Sequence, residues 1–240
     1  MVINYNIALI EDYIQQLTSC QSQEDLTVTL SKSAQALGFD NFAYGIRVKH
    51  PITSPKIEMV SSYSKQWNSI YQEQGLALQD PIVRMGLRSS HYINWQSLTD
   101  DKLEFWQQAR AHGVYRGWSK PTHLPEGSAS LLSFSRGMEV ISHAEMMSKT
   151  PCLLWLTSVA DQGFQKFMTV PKLLTQVSEL TPRETEILKW SADGKTVQEI
   201  GIILGLAEST VTFHINNATK KLNTSNKTAT VVKAVLYGLI

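Results

Sequence analysis

The residues best placed to do chemistry lie between Tyr63 and Trp95. Tyr63, Trp67 and Tyr71 recur at helical spacing, four apart, and Asp80-Pro81 follows. Tyr63 and Trp67 each offer a hydrogen-bond donor, Asp80 offers a strong acceptor, and the rings offer an apolar wall. Such a set suits an amide-bearing small molecule held in a largely apolar pocket. Five of the six tryptophans (Trp67, Trp95, Trp106, Trp118 and Trp155) fall within the first 168 residues. Core packing alone accounts for a tryptophan, so the spacing and the neighbouring acid carry the pocket reading. Hydrolysis has less to stand on. The sequence holds no His-Glu-x-x-His array, no Gly-x-Ser-x-Gly elbow and no Walker loop. Its histidines (His50, His91, His112, His123, His143 and His214) are scattered, and Ser133 beside Ser135 has no base evident. The expectation is a binding protein without catalytic residues, cofactor or metal.

A second constellation occupies the C-terminal end. Thr181 caps a helix opened by Pro182, and Gly194 ends it. Thr196-x-x-Glu199 forms a capping box for a short helix with Val197, Ile200, Gly201 and Leu204 on one face. Gly205 then turns the chain into a longer helix, about Glu208 to Leu222, with Val211, Ile215, Ala218 and Leu222 as its apolar stripe. Asn226 caps a last helix through Tyr237. Two helices joined by a short glycine turn form a helix-turn-helix, with Gly201 as the small residue where they cross. The second helix offers Ser209, Thr210, Thr212, Phe213, Asn216, Asn217 and Lys220 to a major groove, and Thr196 stands at the start of the first. Asparagine can bond adenine through two bonds, hydroxyls serve bases or phosphates, and lysine serves phosphates. A helical bundle for protein contact is the plainer alternative, and His214 reads as a packed helix residue before a metal ligand.

These groups need a scaffold. Helices are expected at about Asn4–Leu17 and Ser22–Leu37, the latter opened by Ser22-x-x-Asp25 and stopped by Gly38. Phe39–Val48, Ile57–Tyr63, Trp118–Leu124 and Ala129–Arg136 read as strands. Helices at Lys65–Gln74, Pro81–Leu87 and Asp100–His112 separate them, and Ser142–Phe167 follows with a break expected near Pro151. The fold class expected is α+β: an N-terminal α/β/α sandwich with an antiparallel sheet over residues 1–168, a linker over 169–177, and an all-α helix-turn-helix domain over 178–240.

Bulk properties agree. The chain has 240 residues, 42% hydrophobic and 18% charged, the balance of an ordinary globular protein with two domains. Net charge is +1, but from Gly205 onward four lysines face Glu208 alone, a local +3 suited to phosphate. Two cysteines, no membrane-length apolar run and no signal-like start give the cytoplasm, without membrane contact, as the expected location.

The motifs also resemble a known family. Leu180-Thr-Pro-Arg-Glu-Thr-Glu-Ile-Leu, Gly194-Lys-Thr-x-x-Glu-Ile, Thr210-Val-x-x-His-Ile and Asn226-Lys-Thr resemble the LuxR-type DNA-binding domain. Trp67, Tyr71, Asp80-Pro81, Trp95 and His112-Gly113 resemble the autoinducer-binding domain of LuxR-type quorum-sensing receptors. Asp80-Pro-Ile-Val-Arg, Arg116-Gly-Trp-Ser and Lys221-Leu-Asn are similar to the solo receptors of that family. The resemblance implies a homodimer on a two-fold double-stranded DNA operator, with the last helix aiding pairing and RNA polymerase as a further partner. Glu184 would be structural, as a cap or ion-pair partner. The implied ligand is an N-acyl-homoserine lactone. Trp67 would donate to its lactone carbonyl, Asp80 would accept from its amide N–H, and Tyr63 and Ser133 would donate to its amide carbonyl. Tyr71, Trp95, Phe105 and Trp118 would line the pocket, and small Ala43 and Gly45 would leave room for the acyl chain. In the alternative, the first domain is a ligand-independent dimerisation unit.

Overall fold

The strand from Asn41 to Val48 (β1) buries every second residue: Phe42, Tyr44, Ile46 and Val48 are buried, while Ala43, Gly45 and Arg47 are partly accessible. That period of two marks the middle of a layered sheet with unequal faces. A computed structural model of the chain describes residues 7–48, 51–100, 103–124, 128–137, 139–168 and 179–240. The expected linker at 169–177 lies outside the described residues. Two compact units result.

In the first unit, β1 joins β2 (Lys56–Ser61), β3 (Ile93–Asn94), β4 (Arg116–His123) and β5 (Ser128–Arg136) in a five-stranded sheet of order β2-β1-β5-β4-β3. β3, two residues long, is an addition to the sequence expectation; Ile93 and Asn94 pair antiparallel with Ser119 and Trp118. Helices α1 (Ile7–Ser19), α2 (Gln23–Ala36) and α6 (His143–Phe167) pack together. The long α6 covers one face of the sheet: Phe164 stacks on Tyr44, whose hydroxyl donates to Asp161 (2.6 Å). Ser130 on β5 donates to the same carboxylate oxygen, so β1 and β5 are held side by side beneath α6. The opposite face carries α3 (Lys65–Glu73), α4 (Pro81–Gly86) and α5 (Glu104–Ala111), whose core joins Trp67, Ile82, Trp95, Phe105 and Trp106.

α6 runs unbroken through Pro151, against the expected interruption. Pro151 and Met147, whose carbonyl loses its helical donor there, are both on the solvent side, where water can replace the missing bond. Gly117 on β4 is required by packing. A Cβ there would stand 2.5 Å from the Phe134 carbonyl oxygen and 2.8 Å from the Trp95 ring.

The second unit contains α7 (Pro182–Ala192), α8 (Val197–Leu204), α9 (Glu208–Lys221) and α10 (Lys227–Leu236). Reciprocal capping boxes fix the starts of α7, through Thr181 and Glu184, and of α8, through Thr196 and Glu199. Glu184 is buried and accepts from the Thr181 N–H and from Lys221 on α9, each at 2.8 Å. Burial pushes its carboxyl upward, but those bonds prevail and hold it below the usual carboxylate range. One side chain thus ties a helix start to the end of another helix. Replacing it with alanine (Glu184→Ala) removes both charge-assisted bonds, a loss of about 2 kcal/mol. Hydrogen exchange of the full chain should then show α7 amides losing protection by about thirtyfold; unaltered protection would refute the tie.

Candidate ligand cavity and nucleic-acid interface

The cavity face of the first unit is built by helix caps. Ser64 accepts from the Trp67 N–H and starts α3, which directs Trp67 and Tyr71 inward. Left-handed Gly75 (φ 61°) ends that helix and leads through a 3₁₀ turn at Leu76–Leu78 to Asp80. Asp80 caps α4: its Oδ1 accepts from the amides of Ile82 (2.8 Å) and Val83 (3.4 Å), with Pro81 in the first turn. Its Oδ2 accepts from the Tyr71 hydroxyl at 2.9 Å. Burial raises the Asp80 pKa to about 6, even though the bonds from Tyr71, Ile82 and Val83 pull it down. The Tyr63 and Tyr71 phenols are also raised, mainly by burial and further by the Asp80 charge.

Between these groups and the sheet is a cavity of about 110 Å³, as traced by the centre of a water molecule. Nine of the ten expected residues line it: Ala43, Gly45, Tyr63, Trp67, Tyr71, Asp80, Trp95, Phe105 and Ser133. Trp118 corrects the expectation. It pairs across strands with Phe134, packs against the Phe134 and Tyr92 rings, and is absent from the cavity wall. The adjacent pair Ser119 and Ser133 takes the cavity side, so strand alternation turns Trp118 to the other face. Sequence reasoning missed Arg47, Met59, Ile82, Trp106 and Leu131 in the wall. Arg47 was readable, because it continues the Ala43, Gly45 side of β1.

The polar groups at the wall are unequally engaged. Among the described residues no acceptor is bonded to the Trp67 indole N–H; its ring stacks on His112 (5.3 Å) and meets Tyr71 edge-on. Tyr63 accepts from Ser135 at 3.3 Å, which leaves its own proton available. Ser133 is 2.7 Å from Ser119. The cavity therefore presents several donors, Arg47 among them, and one partly buried acid along a mostly apolar wall, which suits an amide or ester with a hydrocarbon tail.

In the second unit, Gly205 (φ 64°) turns α8 into α9. At Gly201 a Cβ would sit 2.8 Å from the Leu206 carbonyl oxygen, so the small residue admits the turn backbone. Val211, Ile215 and Ala218 of α9 and the following Leu222 are buried against the other helices. Ser209, Thr212, Phe213, Asn216 and Lys220 are exposed along the opposite side, with Thr210 and Asn217 half-buried at its edges. Phe213 is 60% exposed, far more than a core ring tolerates. Thr196 is exposed, but its hydroxyl is engaged in the α8 capping box. Lys220 and Lys221 close the helix. His214 is half-buried beside Phe213, as expected of a packed residue. Among the described residues no cluster of three or more His, Cys, Asp or Glu could hold a metal, and no helix is long and apolar enough to cross a membrane.

Residues 22–164 match the family model "Autoinducer binding domain", and residues 178–234 match "Bacterial regulatory proteins, luxR family". The chain belongs to the LuxR family. It is 35% identical to the transcriptional activator SolR of Ralstonia nicotianae, over 96% of this chain and 98% of that protein. The quorum-sensing regulator RhlR of Pseudomonas aeruginosa is 36% identical, over 94% of this chain and 93% of RhlR. A structure of SdiA, a regulatory protein of Escherichia coli, in complex with octanoyl-rac-glycerol is similar with a TM-score of 0.76 and 29% identity, covering 100% of this chain and 98% of that one. This LuxR-family chain therefore joins an autoinducer-binding domain to a helix-turn-helix of transcriptional regulators.

Asp80 makes the LuxR-family cavity pH-dependent. Its raised value means the folded state holds a proton that the unfolded chain releases near pH 4. The stability this gives is full below about pH 4 and is lost as pH rises through about 6. Thermal unfolding of the ligand-free protein should show wild type losing about 1–2 kcal/mol relative to Asp80→Asn between pH 5 and 7.5. A difference that stays flat with pH would contradict the burial of this charge.

Proposed function

We propose that this LuxR-family regulator binds an N-acyl-homoserine lactone in the first unit and, as a homodimer, an operator through α9. The single observation that carries the ligand reading is the pairing of an unbonded Trp67 N–H with partly buried Asp80 in one cavity. In this reading Trp67 donates to the lactone carbonyl, and Asp80, already bonded to Tyr71, uses its remaining acceptor capacity for the amide N–H. Tyr63 and Ser133 donate to the amide carbonyl, and the acyl chain follows Ala43 and Gly45. The ligand completes the hydrogen bonding of groups the fold encloses, so binding stabilises the folded form by mass action. Residues 1–168 act as sensor, 169–177 as linker and 178–240 as reader, in a cytoplasmic protein whose bound form recruits RNA polymerase.

An acylglycerol is the second occupant favoured, because the similar SdiA structure contains one. A glycerol ester offers hydroxyls where the lactone offers an amide N–H, and both satisfy Asp80. Calorimetric titration distinguishes them. Asp80→Ala should weaken lactone binding by about 1.5–3 kcal/mol and Trp67→Phe by about tenfold. Unchanged affinity in either variant removes that residue from the site, and tighter wild-type binding of the glycerol ester overturns the lactone assignment.

On DNA, the exposed face of α9 divides its work. Asn216 and Thr212 read base edges, and Lys220 contacts phosphate. With an operator found by selection, Asn216→Ala should cost about 1–3 kcal/mol on the specific duplex only. Lys220→Ala should weaken all duplexes alike and reduce the salt slope by about 1. Equal effects of both changes on specific and random duplexes would contradict this division.

A further inference from the structure

Behind the cavity wall lies a hydrogen-bond relay whose direction is fixed by burial. The Trp95 indole N–H donates to Ser119 Oγ at 2.8 Å, and Ser119 Oγ lies 2.7 Å from Ser133 Oγ. Trp95 is donor only, so Ser119 must accept there and has its own proton left to place. Ser119 is fully buried, at 0% exposure, and among the described residues its hydroxyl has no other bonded partner. A buried hydroxyl proton needs an acceptor, and Ser133 is the one in reach. Ser119 therefore donates to Ser133, and Ser133, on the cavity wall, is left with its proton pointing to whatever fills the cavity. Tyr63 is set in the same way from the other side, because Ser135, also fully buried, donates to its hydroxyl.

We propose that Trp95 and Ser119 are positioning residues that hold Ser133 as an obligate donor, so that the site prefers a ligand with a strong acceptor, an acyl carbonyl, at that point. Without the indole N–H, the smaller phenyl ring leaves room for a water that accepts the Ser119 proton; Ser133 can then donate to Ser119, and the cavity loses one fixed donor. The Trp95 ring face and its N–H thus do separate jobs. The ring is wall, and the N–H sets the polarity of a hydroxyl two bonds away.

The inference rests on the amide-ligand reading above, and the test separates the two. Full-length protein is titrated with an N-acyl-homoserine lactone of the best-binding chain length and with its thioamide counterpart. The thioamide keeps the N–H and the tail but replaces the carbonyl oxygen with a much weaker acceptor. Wild type should prefer the oxygen ligand about tenfold, the scale of one neutral hydrogen bond. In Trp95→Phe, which keeps a ring, and in Ser119→Ala that preference should fall at least threefold, whatever happens to absolute affinity. A merely structural role would lower both affinities together and leave the ratio alone, and that outcome in a variant that still binds overturns the relay. If Ser119→Ala does not fold, Trp95→Phe gives the same ratio. A wild type that binds lactones but shows no preference for oxygen overturns the relay together with the carbonyl contacts assigned to Ser133 and Tyr63. A wild type that binds no lactone overturns the ligand assignment itself.

Discussion

A carboxylate placed inside an apolar cavity is the constraint from which the sensor unit is built. Asp80 reaches that position because α4 needs a cap, and its carboxylate satisfies the amides of Ile82 and Val83 while accepting from Tyr71. Three neutral donors reduce the cost of a partly buried charge but do not cancel it, which is why the pKa stays raised at about 6. A ligand that brings a further donor relieves the remainder. The same residue therefore holds a helix start, shapes the cavity and leaves an interaction open for a small molecule.

The rest of the unit keeps that charge and its neighbours in place. Gly75 and the 3₁₀ turn after it set the distance between the Tyr71 ring and Asp80. Gly117 admits Trp95 against the sheet, which lets the indole N–H reach Ser119. On the far face, Asp161 is a buried acid, handled differently: Tyr44, Ser130 and Gln165 all donate to it. One carboxylate closes its network within the fold, and the other faces the cavity. That contrast separates an acid whose acceptor capacity is used within the fold from one with capacity left at the cavity.

Much of this was legible in the sequence because it is local. The Trp67, Tyr71 pair on α3 and the caps at Ser22, Thr181, Thr196 and Asn226 act over a few residues, and the structure carries each of them, although Tyr63 falls before α3, ahead of its Ser64 cap. Trp118 shows the limit. It was placed by composition and resemblance, whereas its face is fixed by register, and one step along β4 separates it from cavity-side Ser119. β3 was missed because two residues carry no periodicity; its pairing with β4 defines it. The Trp95–Ser119–Ser133 relay links residues 24 and 14 positions apart, and no pattern of spacing announces it. In the helix-turn-helix the caps, turn and apolar stripe all lie within short segments, and there the sequence reading and the structure coincide closely.

In the proposed complex an acceptor on the bound small molecule completes the Trp67 N–H, which has no bonded acceptor among the described residues. Tryptophan-selective ¹⁵N labelling makes each indole N–H visible by NMR, and the Trp67→Phe spectrum identifies the signal. On titration with an N-acyl-homoserine lactone, the Trp67 N–H resonance should move downfield and its exchange with water should slow. A Trp67 signal that keeps its position and exchange rate at saturating ligand would contradict the account.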